Sequence, residues 1–217
     1  MIKNIFTEKE IAEEYDNYYK SDPGKTIDNI EKKLLTEHLE NIPYRGLLEL
    51  GCGTGHWTSF FCQEGFNVTA IDASENMLKI AEQKNQDNCK FRKADATQLP
   101  FADNTFSVVA SVAMIEFIED VNIVMKEIKR VLKPGGSLLL GCLNQNSELG
   151  KTRTTDPVFK HARFFTPGHI QNLLTRFGEP HLSYGVYFSP DFEILDGTEK
   201  QHLAEPAFIV ASVKKIK

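Results

Sequence analysis

Leu47-Leu48-Glu49-Leu50-Gly51-Cys52-Gly53-Thr54-Gly55-His56-Trp57 is the stretch on which the fold turns. An apolar strand pattern runs into glycines at alternate positions, and an amphipathic segment follows over residues 57–61. Glycines so placed let the chain turn sharply after a strand and bring a ligand close to the backbone. The free N–H groups of the following helix then point at that ligand. Glu49 adds a carboxylate beside the turn.

The spacing carries information. A dinucleotide site reads G-x-G-x-x-G and leaves the helix start open for a pyrophosphate. Here the third glycine, Gly55, comes one residue early and an acid precedes the first. A carboxylate in a partly buried site suits an ammonium group better than a phosphate. A nicotinamide-dependent oxidoreductase is therefore the weaker alternative.

Working outward, residues 67–71 read as a second strand with Asp72 at its end. Asp72 stands about twenty residues after Gly51, where such folds place an acid on ribose hydroxyls. Ser74 can cap the next helix, which turns Met77, Leu78 and Ala81 inward. Residues 89–92 make a short third strand, and Asp95 lies in the loop behind it. Residues 106–110 form a buried-strand run and Asp120 can cap a helix carrying Val121, Val124, Ile128 and Val131 on one face. Pro134, Gly135 and Gly136 stop that helix, and residues 137–143 make the fifth strand. Strands and helices that alternate in this way predict an α/β, doubly wound, largely parallel sheet over residues 46–143.

On the N-terminal side, Thr7 and Glu10 have capping-box spacing, and Ile11, Tyr15 and Tyr19 share a helical face. Ser21-Asp22-Pro23-Gly24 should break this helix before a second one carrying Ile27, Ile30, Leu34, Leu35 and Leu39. Residues 1–42 thus form a helical addition that serves as a cover or as a lid over the acceptor. Beyond the core, residues 144–157 read as a loop, Thr166-Pro167 starts a helix ended by Gly178, and residues 182–188 and 207–213 read as the last strands. Residues 189–206 lie between them as a further loop with potential substrate contacts.

Composition narrows the class. The chain of 217 residues has a net charge of −5, which argues against a general nucleic-acid binder. Its length suits one domain, 1–217, with residues 144–217 as the substrate-side part. Cys52, Cys62, Cys89 and Cys142 form no C-x-x-C pair, so neither a metal site nor a disulfide framework is expected, and reduced thiols suit the cytoplasm. No apolar run reaches membrane-spanning length.

Residues 49–55 resemble the first motif of the class I S-adenosylmethionine (SAM)-dependent methyltransferases. Asp72, Asp95 and the run Arg130-Val131-Leu132-Lys133-Pro134-Gly135-Gly136 resemble later motifs of that family. The resemblance implies a seven-stranded sheet with the last strand antiparallel, and S-adenosyl-L-methionine as cofactor. It further implies a small-molecule acceptor, as in the ubiquinone/menaquinone branch, in a monomer or homodimer. The implied cofactor shell includes Glu49, Gly51, Cys52, Gly53 and Gly55 from the turn. Asp72, Ala73 and Met77 follow the second strand, Asp95 and Ala96 the third, and Ser111 ends the fourth. Tyr15, Tyr19 and Trp57 can present aromatic faces to the sulfonium. Glu116 and His161 are the candidate bases, although relatives often carry His near position 116. His56 reads as a surface residue. A SAM-binding protein without catalysis is the remaining rival.

Overall fold

The structure, a computed structural model, describes residues 5–40, 42–84, 87–195 and 204–216. Seven strands form one sheet in the order β3-β2-β1-β4-β5-β7-β6. These are β1 Gly46–Leu50, β2 Asn67–Asp72, β3 Cys89–Lys93, β4 Phe106–Val112, β5 Leu132–Leu143, β6 His181–Tyr187 and β7 Pro206–Lys214. The pairs among β1 to β5 are parallel, whereas β7 runs antiparallel to both β5 and β6. The order reverses between β1 and β4, where an open α/β sheet leaves a crevice beyond its strand ends.

Burial explains the strand patterns. Leu47, Leu48 and Leu50 of β1 are wholly buried, as expected for a central strand covered on both faces. Phe60 and Phe61 of α4 (His56–Gln63) pack with Leu47 on one side of the sheet. On the other, α6 (Val121–Val131) buries Val121, Val124, Met125, Ile128 and Val131, a helical stripe, with α8 (Pro167–Leu174) beside it. The expected caps form: Ser74 accepts from Met77 N at the start of α5 (Glu75–Gln83), Asp120 from Asn122 N, and Thr166 from His169 N.

Local expectations fail where tertiary contacts or turn chemistry intervene. The capping box at Thr7 does not form, since α1 (Lys9–Glu14) starts after Glu8 without a side-chain cap. The expected helix is also interrupted, with α2 confined to Asn17–Lys20. At the break, Asp16 accepts from Thr54 Oγ1 at 2.6 Å and pairs with Lys84 at 2.7 Å. Ser21-Asp22-Pro23-Gly24 breaks one helix by starting another: Ser21 caps α3 (Asp22–Leu39), with proline in its first turn. The stretch 144–157 contains a short helix, α7 (Glu148–Thr152), capped by Ser147. Strand β5 starts at Leu132, five residues early, with a register shift against β4. Helix α8 ends before Gly178, although Phe177 stays buried. Of the loop expected over 189–206, residues 196–203 lie outside the described part.

Candidate functional site

The chain beyond β1 turns through left-handed glycines, φ being +70° at Gly51, +53° at Gly53 and +80° at Gly55. The turn is pinned to the neighbouring strand, because Gly51 N and Cys52 N both donate to Ile71 O, at 2.8 and 3.0 Å. Gly53 N donates to Asp72 Oδ2 at 2.8 Å, and Ser74 N donates to Asp72 Oδ1 at 2.8 Å. Burial raises the Asp72 pKa, while backbone N–H groups from Ser74, Gly53 and Ala73 pull against that rise. The carboxylate is thereby held rigidly at the cleft floor with lone pairs still available.

That cleft is open to solvent, and the space along its lining, the open mouth included, is about 860 Å³. Its floor is Gly51, Cys52, Gly53, Ile71, Asp72 and Ala73. Met77, Ala94, Asp95 and Ala96 make one wall, and Val112, Ala113, Met114, Phe117 and Ile118 the other. Phe6, Tyr15, His56 and Trp57 close it from the side of the N-terminal helices. Asp95 accepts from Thr97 N at 2.8 Å and Thr97 Oγ1 at 2.7 Å through one oxygen, so it also shapes its own loop. Among the described residues, the lining carries Asp72 and Asp95 and no Lys or Arg. Such a wall suits a diol and a cation, and disfavours a pyrophosphate.

Several expected site residues lie elsewhere. Glu49 is buried beneath the turn, accepts from Thr58 Oγ1 at 2.5 Å, and so ties β1 to α4. Burial pushes it up to about 8, with Asp72 adding to the rise. Gly55 is the cap of α4, and its bare Cα lets α4 approach Ala81. Ser111 is buried within the sheet, its hydroxyl without a partner among the described residues, and does not line the cleft. Tyr19 stands one layer behind the lining, stacked on His56 at 3.6 Å between centroids.

The candidate bases are not brought to the cleft. Glu116, in a short 3-10 turn after β4, accepts from Leu143 N at 2.7 Å and is pushed up to about 7 by burial. His161 ends another short turn and is absent from the lining, although Arg163 N donates to Glu116 O at 2.7 Å and joins the two segments. The surface reading of His56 is overturned. His56 is a partly buried lining residue, and its Nε2 lies 2.7 Å from Asp28 Oδ1 of α3. Sequence reasoning missed Phe6 as a lining residue. The 112–118 wall follows the end of β4, at the edge where strand ends of an open α/β sheet meet a ligand, and Ala113 there has a left-handed φ of +50°.

A cleft at the sheet reversal, with this turn and these acids, defines the class I SAM-dependent methyltransferase fold. Residues 48–140 match the family described as "Methyltransferase domain". The chain belongs to the same family as "Uncharacterized protein MJ1123" of Methanocaldococcus jannaschii, 30% identical over 98% of this chain and all of that one. A demethylmenaquinone methyltransferase of Staphylococcus aureus is 38% identical over 118 residues, 52% of this chain and 46% of that enzyme. Among solved structures, a Thermotoga maritima SAM-dependent methyltransferase, described as a possible histamine N-methyltransferase, superposes with a TM-score of 0.74. It is 24% identical, over 95% of this chain and 97% of that one.

Proposed function

We propose that the protein transfers a methyl group from SAM to a small-molecule acceptor. The observation that carries this reading is the Asp72 carboxylate, held by two backbone N–H groups beside a glycine turn, in a cleft whose described lining has no lysine or arginine. When bound, SAM supplies a methyl group already activated on a sulfonium. Asp72 would accept from both ribose hydroxyls. Met77 would pack against the purine, and the free oxygen of Asp95 would take its exocyclic amine. The room above Gly53, where an added Cβ meets nothing within 4 Å, fits a ligand lying against the backbone. Tyr15 and Trp57 are aromatic lining residues that can favour a cation by about 0.5–2 kcal/mol each.

Methyl transfer asks mainly for alignment. Holding nucleophile and methyl in line is worth roughly 7–11 kcal/mol at best. The N-terminal segment would provide it. Ser74 Oγ donates to Phe6 O at 2.7 Å and Asn76 Nδ2 to Thr7 O at 2.9 Å, which holds the segment across the cleft. The protein would be cytoplasmic, a monomer or homodimer, with its four cysteines reduced. Calorimetric titration with S-adenosylhomocysteine (SAH) and with NAD tests the cofactor. SAH should bind and NAD should not; heat from NAD alone would reject the reading.

A further inference from the structure

We infer that His56 is the general base of the transfer and Asp28 its positioning residue, so that the acceptor is a hydroxyl or thiol compound whose nucleophilic atom still carries a proton. This rests on the methyltransferase reading above and names the acceptor's chemistry within it.

The geometry is that of an oriented base. Among the described residues, His56 is the imidazole in the lining, on the side closed by Tyr15 and Trp57. Asp28 Oδ1 accepts from its Nε2 at 2.7 Å, and Tyr19 stacks on the ring with an interplanar angle of 9°. A ring clamped through one nitrogen and one face has a fixed plane and a fixed tautomer. With Nε2 donating to the carboxylate, Nδ1 is the nitrogen left to accept a proton. Asp28 remains charged: burial opposes ionisation, but the bonds to His56 and Lys32 hold its pKa below the ordinary value. Lys32 lies 2.6 Å from Asp28 Oδ2 and neutralises that oxygen, so Oδ1 is committed to the imidazole. Asp16 also lies near His56 and is itself bound to Lys84, and Glu31, which faces Asp28, is pushed up to about 8 by burial. Glu116 and His161, by contrast, lie outside the lining.

The step balances. The lone pair of the acceptor atom X attacks the methyl carbon, the pair of the broken S–C bond stays on sulfur, and the X–H proton passes to Nδ1. The imidazolium formed is stabilised by Asp28, and its proton returns to solvent before the next turnover. An acceptor with no proton to lose, such as a tertiary amine or a thioether, gains nothing from this pair.

The test compares wild type with His56→Gln, His56→Asn and Asp28→Asn, each checked for an unchanged melting transition. Three quantities are measured: SAH affinity by calorimetry, histidine ¹⁵N spectra without cofactor, and SAH release with catechols, thiols, trimethylamine and dimethyl sulfide. Wild type should show His56 protonated at Nε2 and bare at Nδ1, and Asp28→Asn should mix the tautomers. Both His56 variants should keep SAH affinity within about threefold while losing about 100-fold or more in turnover, the low end for a general base. Their residual turnover should climb with pH toward the acceptor's own ionisation. Asp28→Asn should lose about tenfold or more. Parallel loss of SAH affinity would make His56 a cofactor ligand and overturn the inference. So would undiminished turnover, turnover confined to trimethylamine or dimethyl sulfide, silence with every acceptor, or a proton on Nδ1 in wild type. Failure of wild type to bind SAH would instead reject the methyltransferase reading itself.

Discussion

The floor and the roof of the cleft are held by different kinds of bond. The floor is backbone bonded to backbone and to one carboxylate, with Gly51, Cys52 and Gly53 tied to Ile71 and Asp72 of the adjacent strand. The roof, which comprises α1, α2 and the 3-10 turn Ile5–Thr7, is held by side chains. Ser74 and Asn76 grip its backbone, and Asp16 reaches Thr54 and Lys84. Breaking the floor therefore disturbs the sheet. Releasing the roof breaks side-chain contacts and uncovers Ile5 and Ala12, but leaves the strand ladders of the sheet whole.

The largest expected effect lies in the floor. An added Cβ at Gly51 would fall on the Met114 side chain, in a left-handed backbone, whereas at Gly53 it would meet nothing. Gly51→Ala should cost roughly 2–5 kcal/mol, combining about 1–2 for the left-handed conformation with about 1–3 for overpacking. Gly53→Ala should cost about 1–2 kcal/mol, from the backbone alone. Thermal melts of both variants check the contrast, and equal losses would mean that Met114 moves aside freely.

Next comes the cofactor carboxylate. Asp72→Ala should weaken SAH binding by about 1.5–3 kcal/mol, the scale of hydrogen bonds to a charged group. Asp95→Ala should cost less, since that side chain is exposed and partly engaged with Thr97. Calorimetry on the two variants gives the order, and a larger loss at Asp95 would reverse the assignment of ribose and purine ends.

A third test concerns the base of the 112–118 wall. Burial pushes Glu116 from 4.5 up to about 7, so the folded state favours its neutral form. That contribution to stability is fully present below pH 4.5 and is lost as pH rises to about 7. The melting-temperature difference between wild type and Glu116→Gln should fall across this window and level off above it. A constant difference would show that the carboxyl reaches water.

The smallest effect in stability should be at the roof. Asp16 has its pKa lowered: burial opposes this, but the bonds from Lys84 and Thr54 prevail. Its contribution is present above the ordinary carboxylate range and disappears as pH falls through the lowered value. Asp16→Ala should cost about 1 kcal/mol, yet change the fluorescence of Trp57, the one tryptophan, which is 6% exposed at the cleft. Unchanged emission together with unchanged hydrogen exchange over α1 would mean that Asp16 does not fasten the roof.

Read alone, the chain determined the floor and most of the sheet. The 49–55 turn, Asp72 at the end of β2 and the apolar runs of β1, β4 and β5 are local patterns, each set by neighbours a few residues apart. Backbone sterics and side-chain periodicity act at that range, so sequence spacing records them. What lines the cleft from above was decided by tertiary structure. Asp28 and His56 are 28 residues apart, and Asp16 and Thr54 are 38 apart, with no shared motif. Tertiary placement also removed Glu49, Ser111 and Glu116 from the lining, because each is a polar side chain buried inside the fold. The reason is directional: spacing tells which face of an element a side chain occupies, but only packing between elements tells what that face meets.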